Sequence, residues 1–149
     1  MKVSTKGRYG LRAMMDLAAH QNNSIPVFLT DIAKRQDISE KYLEHIFSAL
    51  KAAGLVNTVR GRKGGFLLTK TPSQITVANI INVLEGPCTL VDCVSQPKTC
   101  NRSEACASRD IWSLLGTKID EVLSGYTLDQ LVTMQEKKAH TEDNAMYYI

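Results

Sequence analysis

Apolar residues recur at helical spacing over most of this chain, broken by one β-like stretch and one stretch with no period. Met14, Leu17 and Ala18 predict a helix over residues 5–20, with Thr5 as its cap, followed by a loop at Gln21–Pro26. A short helix is expected at 30–36, capped by Thr30, with Ile32 and Ala33 on its buried side. After the tight connection Gln36-Asp37-Ile38, Ser39 is placed to cap a longer helix reaching Ala53. Its Leu43, Ile46, Phe47 and Leu50 fall at i, i+3, i+4 and i+7, and Gly54 suits the position after its end. The runs Leu55–Arg60 and Phe66–Thr69 flank the glycine-rich segment Gly61-Arg62-Lys63-Gly64-Gly65, the pattern of a β-hairpin that Pro72 ends. Helical spacing returns at 76–85, with Thr76 as cap and Val77, Ile80, Ile81 and Leu84 on one face.

Residues 86–105 show no periodicity and carry Gly86, Pro87 and Pro97. A long helix is expected over 107–123, capped by Ser108 and followed by Gly125; its stripe of Ile111, Leu114, Leu115, Ile119 and Val122 comes close to a heptad. Thr127 and Gln130 read as a capping box opening a last helix to about Lys138, and from Ala139 the polar composition predicts a loose tail. The expected fold class is mainly α with a small β-hairpin: a winged helix-turn-helix plus a long dimerisation helix. The corresponding division is a DNA-binding domain over 1–85, a cofactor-binding loop over 86–106, dimerisation and final helices over 107–138, and the tail over 139–149.

The chain of 149 residues has a formal charge of only +3, but that figure conceals a split. Residues 1–70 hold twelve basic and five acidic side chains, a balance of +7, while 71–149 hold six and ten, a balance of −4. A basic first half built as helix, turn, helix and basic hairpin points to double-stranded DNA. With Leu43, Ile46, Phe47 and Leu50 buried, Ser39, Lys41, Glu44 and His45 lie at the front of the second helix, within reach of bases or phosphates. Glu44 can accept from a cytosine amino group and repels phosphate, so it would also select against wrong sequences. Arg60, Arg62 and Lys63 sit among the hairpin glycines, where arginine suits a narrow, negative minor groove. The competing reading is a solvated basic turn. His45 is expected to be a solvated side chain and His20 a partner for a helix C-terminus, neither a metal ligand.

No apolar run approaches the ~18 residues of a membrane span, and the start has no apolar stretch behind its positive charges. A cytoplasmic protein with reduced thiols is the expectation, and no membrane partner. The cysteines, Cys88, Cys93, Cys100 and Cys106, are separated by four, six and five residues, lacking the close pairs of zinc fingers and the tight run of bacterial ferredoxins. The spacing suits an iron–sulfur cluster, whose bulk spreads its ligands; inert thiols, a zinc site and a disulfide stay open at this point. Neither GxGxxG nor GxxxxGK[ST] occurs, so no enzymatic nucleotide chemistry is expected.

Taken together, Ser4-Thr5-Lys6-Gly7-Arg8-Tyr9, Asp31-Ile32-Ala33, Tyr42-Leu43-Glu44, Val59-Arg60-Gly61 with Gly64-Gly65, the cysteine loop, Asp110-Ile111-Trp112 and Thr127-Leu128 resemble the IscR-like iron–sulfur winged-helix transcription regulators. That family includes cluster-biogenesis repressors and nitric-oxide sensors such as NsrR, and the resemblance covers roughly residues 1–138. It implies a homodimer joined by the helix at 107–123, and three cluster ligands at Cys93, Cys100 and Cys106. The position three after the last cysteine, a histidine ligand in the best-known cluster-biogenesis regulator, is Arg109, whose guanidinium has no lone pair to offer. The fourth ligand is therefore open among Cys88, Asp92, Asp110 and a residue of the other subunit, with a non-cysteine ligand preferred. A [2Fe–2S] cluster controlling cluster-biogenesis genes is the first expectation. A [4Fe–4S] cluster in a nitric-oxide or redox sensor is the second, and a small electron-transfer protein the alternative of another class.

Overall fold

The computed structural model describes residues 3–21, 25–61 and 64–146, with side chains to Thr141. Helices α1 (Thr5–His20), α2 (Leu29–Gln36) and α3 (Glu40–Ala52) come first, then strands β1 (Val56–Val59) and β2 (Gly65–Leu68). Helix α4 (Val77–Glu85) follows, then a one-turn helix α5 (Asp92–Ser95) among short 3-10 turns, and finally α6 (Ala107–Ser124) and α7 (Leu128–Met146). The result is the expected class, mainly helical with one small antiparallel hairpin.

The periodic apolar positions meet in one core. Met14 and Leu17 of α1, Ile32 of α2, and Leu43, Ile46, Phe47 and Leu50 of α3 are buried together with Val56, Ile75, Ile80 and Leu128. Ile81, expected on the buried face of α4, is only half-covered; Ala78 takes that place. Phe47 packs edge-on against Phe66 at 4.7 Å, tying the second helix of the pair to the wing. In the hairpin Val56 opposes Leu68 and Val59 opposes Gly65, so the second strand starts one residue earlier than the glycines imply. Gly65 belongs to β2 because Val27 pairs with Phe66 there; a Cβ on residue 65 would lie 2.5 Å from the Val27 carbonyl oxygen.

Three caps differ from expectation. Ser4, not Thr5, caps α1, accepting from Gly7 N–H at 3.1 Å. The reason lies across the molecule: Glu85, the last residue of α4, accepts from the Ser4 hydroxyl and from Gly7 N–H (3.0 Å), placing a carboxylate at the positive end of α1. Gly7 permits this, since a Cβ there would overlap the Glu85 carboxylate. Helix α2 starts one residue before Thr30 and has no side-chain cap, because the Val27–Phe66 pairing holds the entering chain extended. Helix α6 starts after Cys106, so Ser108 lies inside its first turn. By contrast Ser39 caps α3, and Thr76 with Asn79 makes a full capping box on α4.

Helix α7 continues to Met146, eight residues past the expected end, so the loose tail expected from Ala139 is helical through 146; residues 147–149 lie outside the described residues. Polarity had marked that segment, yet it contains neither Gly nor Pro, and a polar helix needs no apolar stripe to propagate from a docked first turn. Only half of the capping box forms, Gln130 Oε1 accepting from Thr127 N–H at 3.0 Å, while the Thr127 hydroxyl turns to Asp129. Leu128 is wholly buried, and its N–H donates to the Ile75 carbonyl at 2.9 Å, so α7 begins inside the core of the first half.

One charged side chain is buried among the described residues. Asp16, 5% exposed, faces α2 and receives Arg35 Nε at 3.1 and 3.0 Å on its two oxygens, Arg35 Nη2 at 2.6 Å, and Gln36 Nε2 at 2.9 Å. Replacing Arg35 by Leu leaves this carboxylate buried with only the Gln36 amide and the His20 ring, whose Nδ1 lies 3.5 Å away, and about 3 kcal/mol of stability should be lost. Thermal unfolding checks it: Arg35→Lys, keeping charge without the fork, should fall between wild type and Arg35→Leu, and an unchanged midpoint for Arg35→Leu would show the clamp to be idle.

Candidate nucleic-acid interface and cysteine loop

Helices α2 and α3 form the helix-turn-helix pair, and the turn between them is set by Asp37, the one non-glycine residue with positive φ (+52°) among those described. Asp37 N–H bonds back to Lys34, and Ile38, buried, accepts its place in the core by bonding to the Ala33 carbonyl. The chain therefore enters α3 with Ser39 already extended, its hydroxyl accepting from Tyr42 N–H at 3.3 Å. Lys41, Glu44, His45 and Ser48 are exposed on the face opposite the buried stripe. The front of α3 thus carries the residues expected there, although the Ser39 hydroxyl is engaged in capping. Arg60 is exposed at the end of β1, while Arg62 and Lys63 lie outside the described residues.

Sequence reasoning missed the neighbours of this surface. Tyr42, in the first turn of α3, is half-buried and meets Tyr9 of α1 edge-on at 6.0 Å. Arg12 of α1 donates from Nη2 to the Gln36 carbonyl at 2.6 Å and from Nε to Gln36 Oε1 at 3.2 Å. A carboxylate at position 16, between Met14 and Leu17 on an apolar helix face, was the one available signal that a buried polar network ties α1 to α2.

The four cysteines are free thiols and all half-buried. Cys93 lies in α5, Cys100 closes the turn at 97–99, and Cys106 occupies the position that caps α6. No three His, Cys, Asp or Glu side chains converge into a metal-holding group among the described residues, so the structure does not bring the expected ligands together. Cys88 stands apart, lining a groove of about 420 Å³ between α4 and α6 with Pro87, Val94, Trp112 and Asp120; none of the other cysteines lines it. Asp92 and Asp110 are exposed at the starts of α5 and α6.

Cys106 is distinguished chemically. The Ser108 hydroxyl lies 3.1 Å from its sulfur, and with the Arg109 N–H it holds the thiol below the ordinary cysteine range, against the opposing charge of Asp110. Ser108 thus serves the sulfur rather than the helix end. Arg109 Nε donates to the Cys93 carbonyl at 2.9 Å, bracing α5 against α6. Soft, unpaired sulfur donors on one loop fit a cluster or a thiophilic metal by chemistry. Their separation means that the loop must close for them to share one.

Helix α6 leaves its stripe uncovered. Ile111, Leu114, Leu115 and Val122 are 55, 53, 41 and 59% exposed, and none of its residues is buried. A large apolar patch of this kind on a charged surface marks an association face. No helix among the described residues is long and apolar enough to cross a membrane.

Comparison with known proteins places these features. The profile of the Rrf2 family, an iron-dependent transcriptional regulator, matches residues 3–134. The HTH-type transcriptional regulator CymR of Bacillus subtilis is 38% identical over 149 residues, all of both chains. The HTH-type regulator IscR of Pectobacterium atrosepticum is 38% identical over 136 residues, 91% of this chain and 82% of the relative. Among solved structures, CymR, the global cysteine regulator of B. subtilis, superposes with a TM-score of 0.75 at 39% identity, covering 90% of this chain and 98% of that one. IscR of T. potens gives 0.73 at 38% identity, covering 93% and 90%. These relatives are transcriptional regulators rather than enzymes or electron carriers, and with a helix-turn-helix, a basic wing and a matching profile over nearly its whole length, this chain belongs to the Rrf2 family of winged-helix transcriptional regulators.

Proposed function

We propose that this DNA-binding regulator acts as a homodimer whose affinity for DNA is set by an iron–sulfur cluster held by Cys93, Cys100 and Cys106. The observation that carries the reading is the placement of three free, half-buried thiols on one loop, the last of them at the start of α6 with the Ser108 hydroxyl 3.1 Å from its sulfur. Such a group supplies, when bound, a cross-link that oxidants, nitric oxide or iron shortage remove. A [2Fe–2S] cluster is preferred over [4Fe–4S], with cluster-biogenesis genes as first targets and a nitric-oxide or redox sensor as the alternative. The fourth ligand is Asp92, Asp110 or a partner residue in preference to Cys88, which lies in the separate groove.

The loop is well placed to act on DNA binding. Upstream it leaves α4, whose Glu85 grips the first turn of α1; downstream it starts α6, whose uncovered stripe is the dimerisation face in this reading. Closing the loop changes the relation between those two helices and so between the two recognition helices of a dimer. Ser39, Lys41, Glu44 and His45 meet the major groove, and Arg60, Arg62 and Lys63 meet backbone or minor groove. A cytoplasmic location follows from this function. A second reading has the likeness to CymR behind it: the global cysteine regulator of B. subtilis is 38% identical to this chain and superposes with a TM-score of 0.75. In that reading the chain regulates cysteine metabolism without a cluster.

Protein purified anaerobically should contain iron and acid-labile sulfide in equal amounts and absorb in the visible, and alanine at Cys93, Cys100 or Cys106 should abolish both. Wild-type protein that stays iron-free after reconstitution would overturn the cluster in favour of the second reading. In the metal-free protein Cys106 should react first with iodoacetamide near neutral pH, because a lowered pKa leaves more thiolate at any given pH; Ser108→Ala should slow it, and equal rates at all four cysteines would refute the distinction. Arg60→Ala should weaken binding to duplex DNA and flatten its salt dependence, and unchanged binding across salt would remove Arg60 from the interface.

A further inference from the structure

Two arginines of α1 have no role in the interface as drawn so far. Arg8 and Arg12 lie one turn apart, both exposed, with guanidinium carbons 5.8 and 5.6 Å from the centre of the Tyr9 ring between them. Neither has a carboxylate within ion-pair distance among the described residues. The acidic groups nearby in the fold are already engaged: Glu85 with Ser4 and Gly7, and Asp16 with Arg35 and Gln36. Two cations beside one ring, without counter-charge, repel each other and are stabilised by an anion brought from outside.

Their position says which anion. Tyr9 stands edge-on to Tyr42 in the first turn of α3, and Arg12 is bound to Gln36, three residues before the Ser39 cap. Both arginines are therefore fixed beside the end of α3 that reads DNA, on the side of α1 rather than of the wing. A helix that enters the major groove is flanked by phosphate strands on both sides. The α1 arginines lie within reach of one of them. Contact with Tyr9 limits the conformations of two long side chains, lowering the entropy lost when they bind, and a guanidinium suits phosphate bidentately.

We propose that Arg8 and Arg12, braced by Tyr9, form a second phosphate-binding site of the DNA interface, on α1 beside the first turn of α3. The inference rests on the DNA-binding reading and extends it to residues outside the helix-turn-helix and wing. Arg8 is the freer of the two, because Arg12 also holds Gln36, so Arg8 is the residue to change. The site holds DNA without reading it, since a phosphate is the same at every base pair.

The test uses the full chain and two 30-base-pair duplexes of different mixed sequence, titrated by fluorescence anisotropy over a series of KCl concentrations. Arg8→Ala should weaken binding to both duplexes equally, about three- to tenfold at low salt, and lower the salt slope by roughly one per bound protomer, with an unchanged thermal midpoint. Arg8→Lys should recover most of the slope but less of the affinity. If wild-type protein binds and Arg8→Ala binds with the same slope and affinity, the second site is wrong while DNA binding stands. A loss confined to one duplex would make Arg8 a base reader and overturn the phosphate assignment. Wild-type protein that binds neither duplex would overturn this site together with the DNA-binding reading beneath it.

Discussion

The buried carboxylate of Asp16 is the constraint on which the DNA-binding half depends. A carboxylate stripped of water costs several kcal/mol unless its oxygens are occupied, so α2 cannot slide along α1 without stranding it. Arg35 supplies a fork to both oxygens and Gln36 an amide to one, and these are the last two residues of α2. Position is thus fixed where the chain is about to turn. Asp37 then takes its left-handed conformation, Ile38 drops into the core, and α3 leaves in a direction the apolar stripe alone would not have specified. Leu43 and Phe47 would pack comparably over a range of helix angles; the polar network selects one, which is the use of buried charge best supported in proteins.

The same logic recurs at the other end of α1. Glu85 ends α4 where Gly7 leaves room, so α4 is fastened to the N-terminus of α1 by a carboxylate on backbone and hydroxyl donors. Helix α1 is therefore held at one end by α4 and in its middle by α2. A segment attached to α4 has a short mechanical route to the helix pair, and the cysteine loop is that segment. The loop itself is made of single turns with no buried residue between Glu85 and Ala107, so its conformation is set by few contacts. Arg109 on the Cys93 carbonyl is one of them, and it lies at the junction with α6.

Local signals made most of the helices legible. Spacing of apolar residues located α1 to α4 and α6, Ser39 and Thr76 located starts, and the glycine-rich stretch located the wing. What escaped depended on partners distant in sequence. Ser4 and Thr5 are equally good caps in isolation, and only Glu85, 81 residues away from Ser4, decides between them. Thr30 would cap α2 if Val27 were not paired with Phe66. The continuation of α7 escaped for a different reason: polarity was read as looseness, although helix propensity and apolar content are separate properties. At the candidate site, Arg109 was legible as a residue unable to ligate metal, because that follows from its chemistry. Its bond to the Cys93 carbonyl was not, because that follows from where α5 and α6 meet.

The division of charge takes its meaning from this architecture. The +7 half is not uniformly available to DNA: Arg35 is consumed by Asp16, and Arg12 in part by Gln36. Among the cations left over, Arg8, Lys41 and Arg60 lie on three separate elements: α1, the front of α3 and the wing. In the proposed interface such a surface would gain affinity from several spaced phosphate contacts and leave the base edges to Glu44, His45 and their neighbours. Spaced contacts also make affinity sensitive to the relative placement of rigid parts, since each must meet a phosphate at a fixed interval along the duplex. In the proposed dimer a small displacement of α1 or of the dimer axis would then cost several contacts at once. On the proposed reading, that is the physical basis on which a loop joined to α4 and α6 would govern how tightly the protein holds DNA.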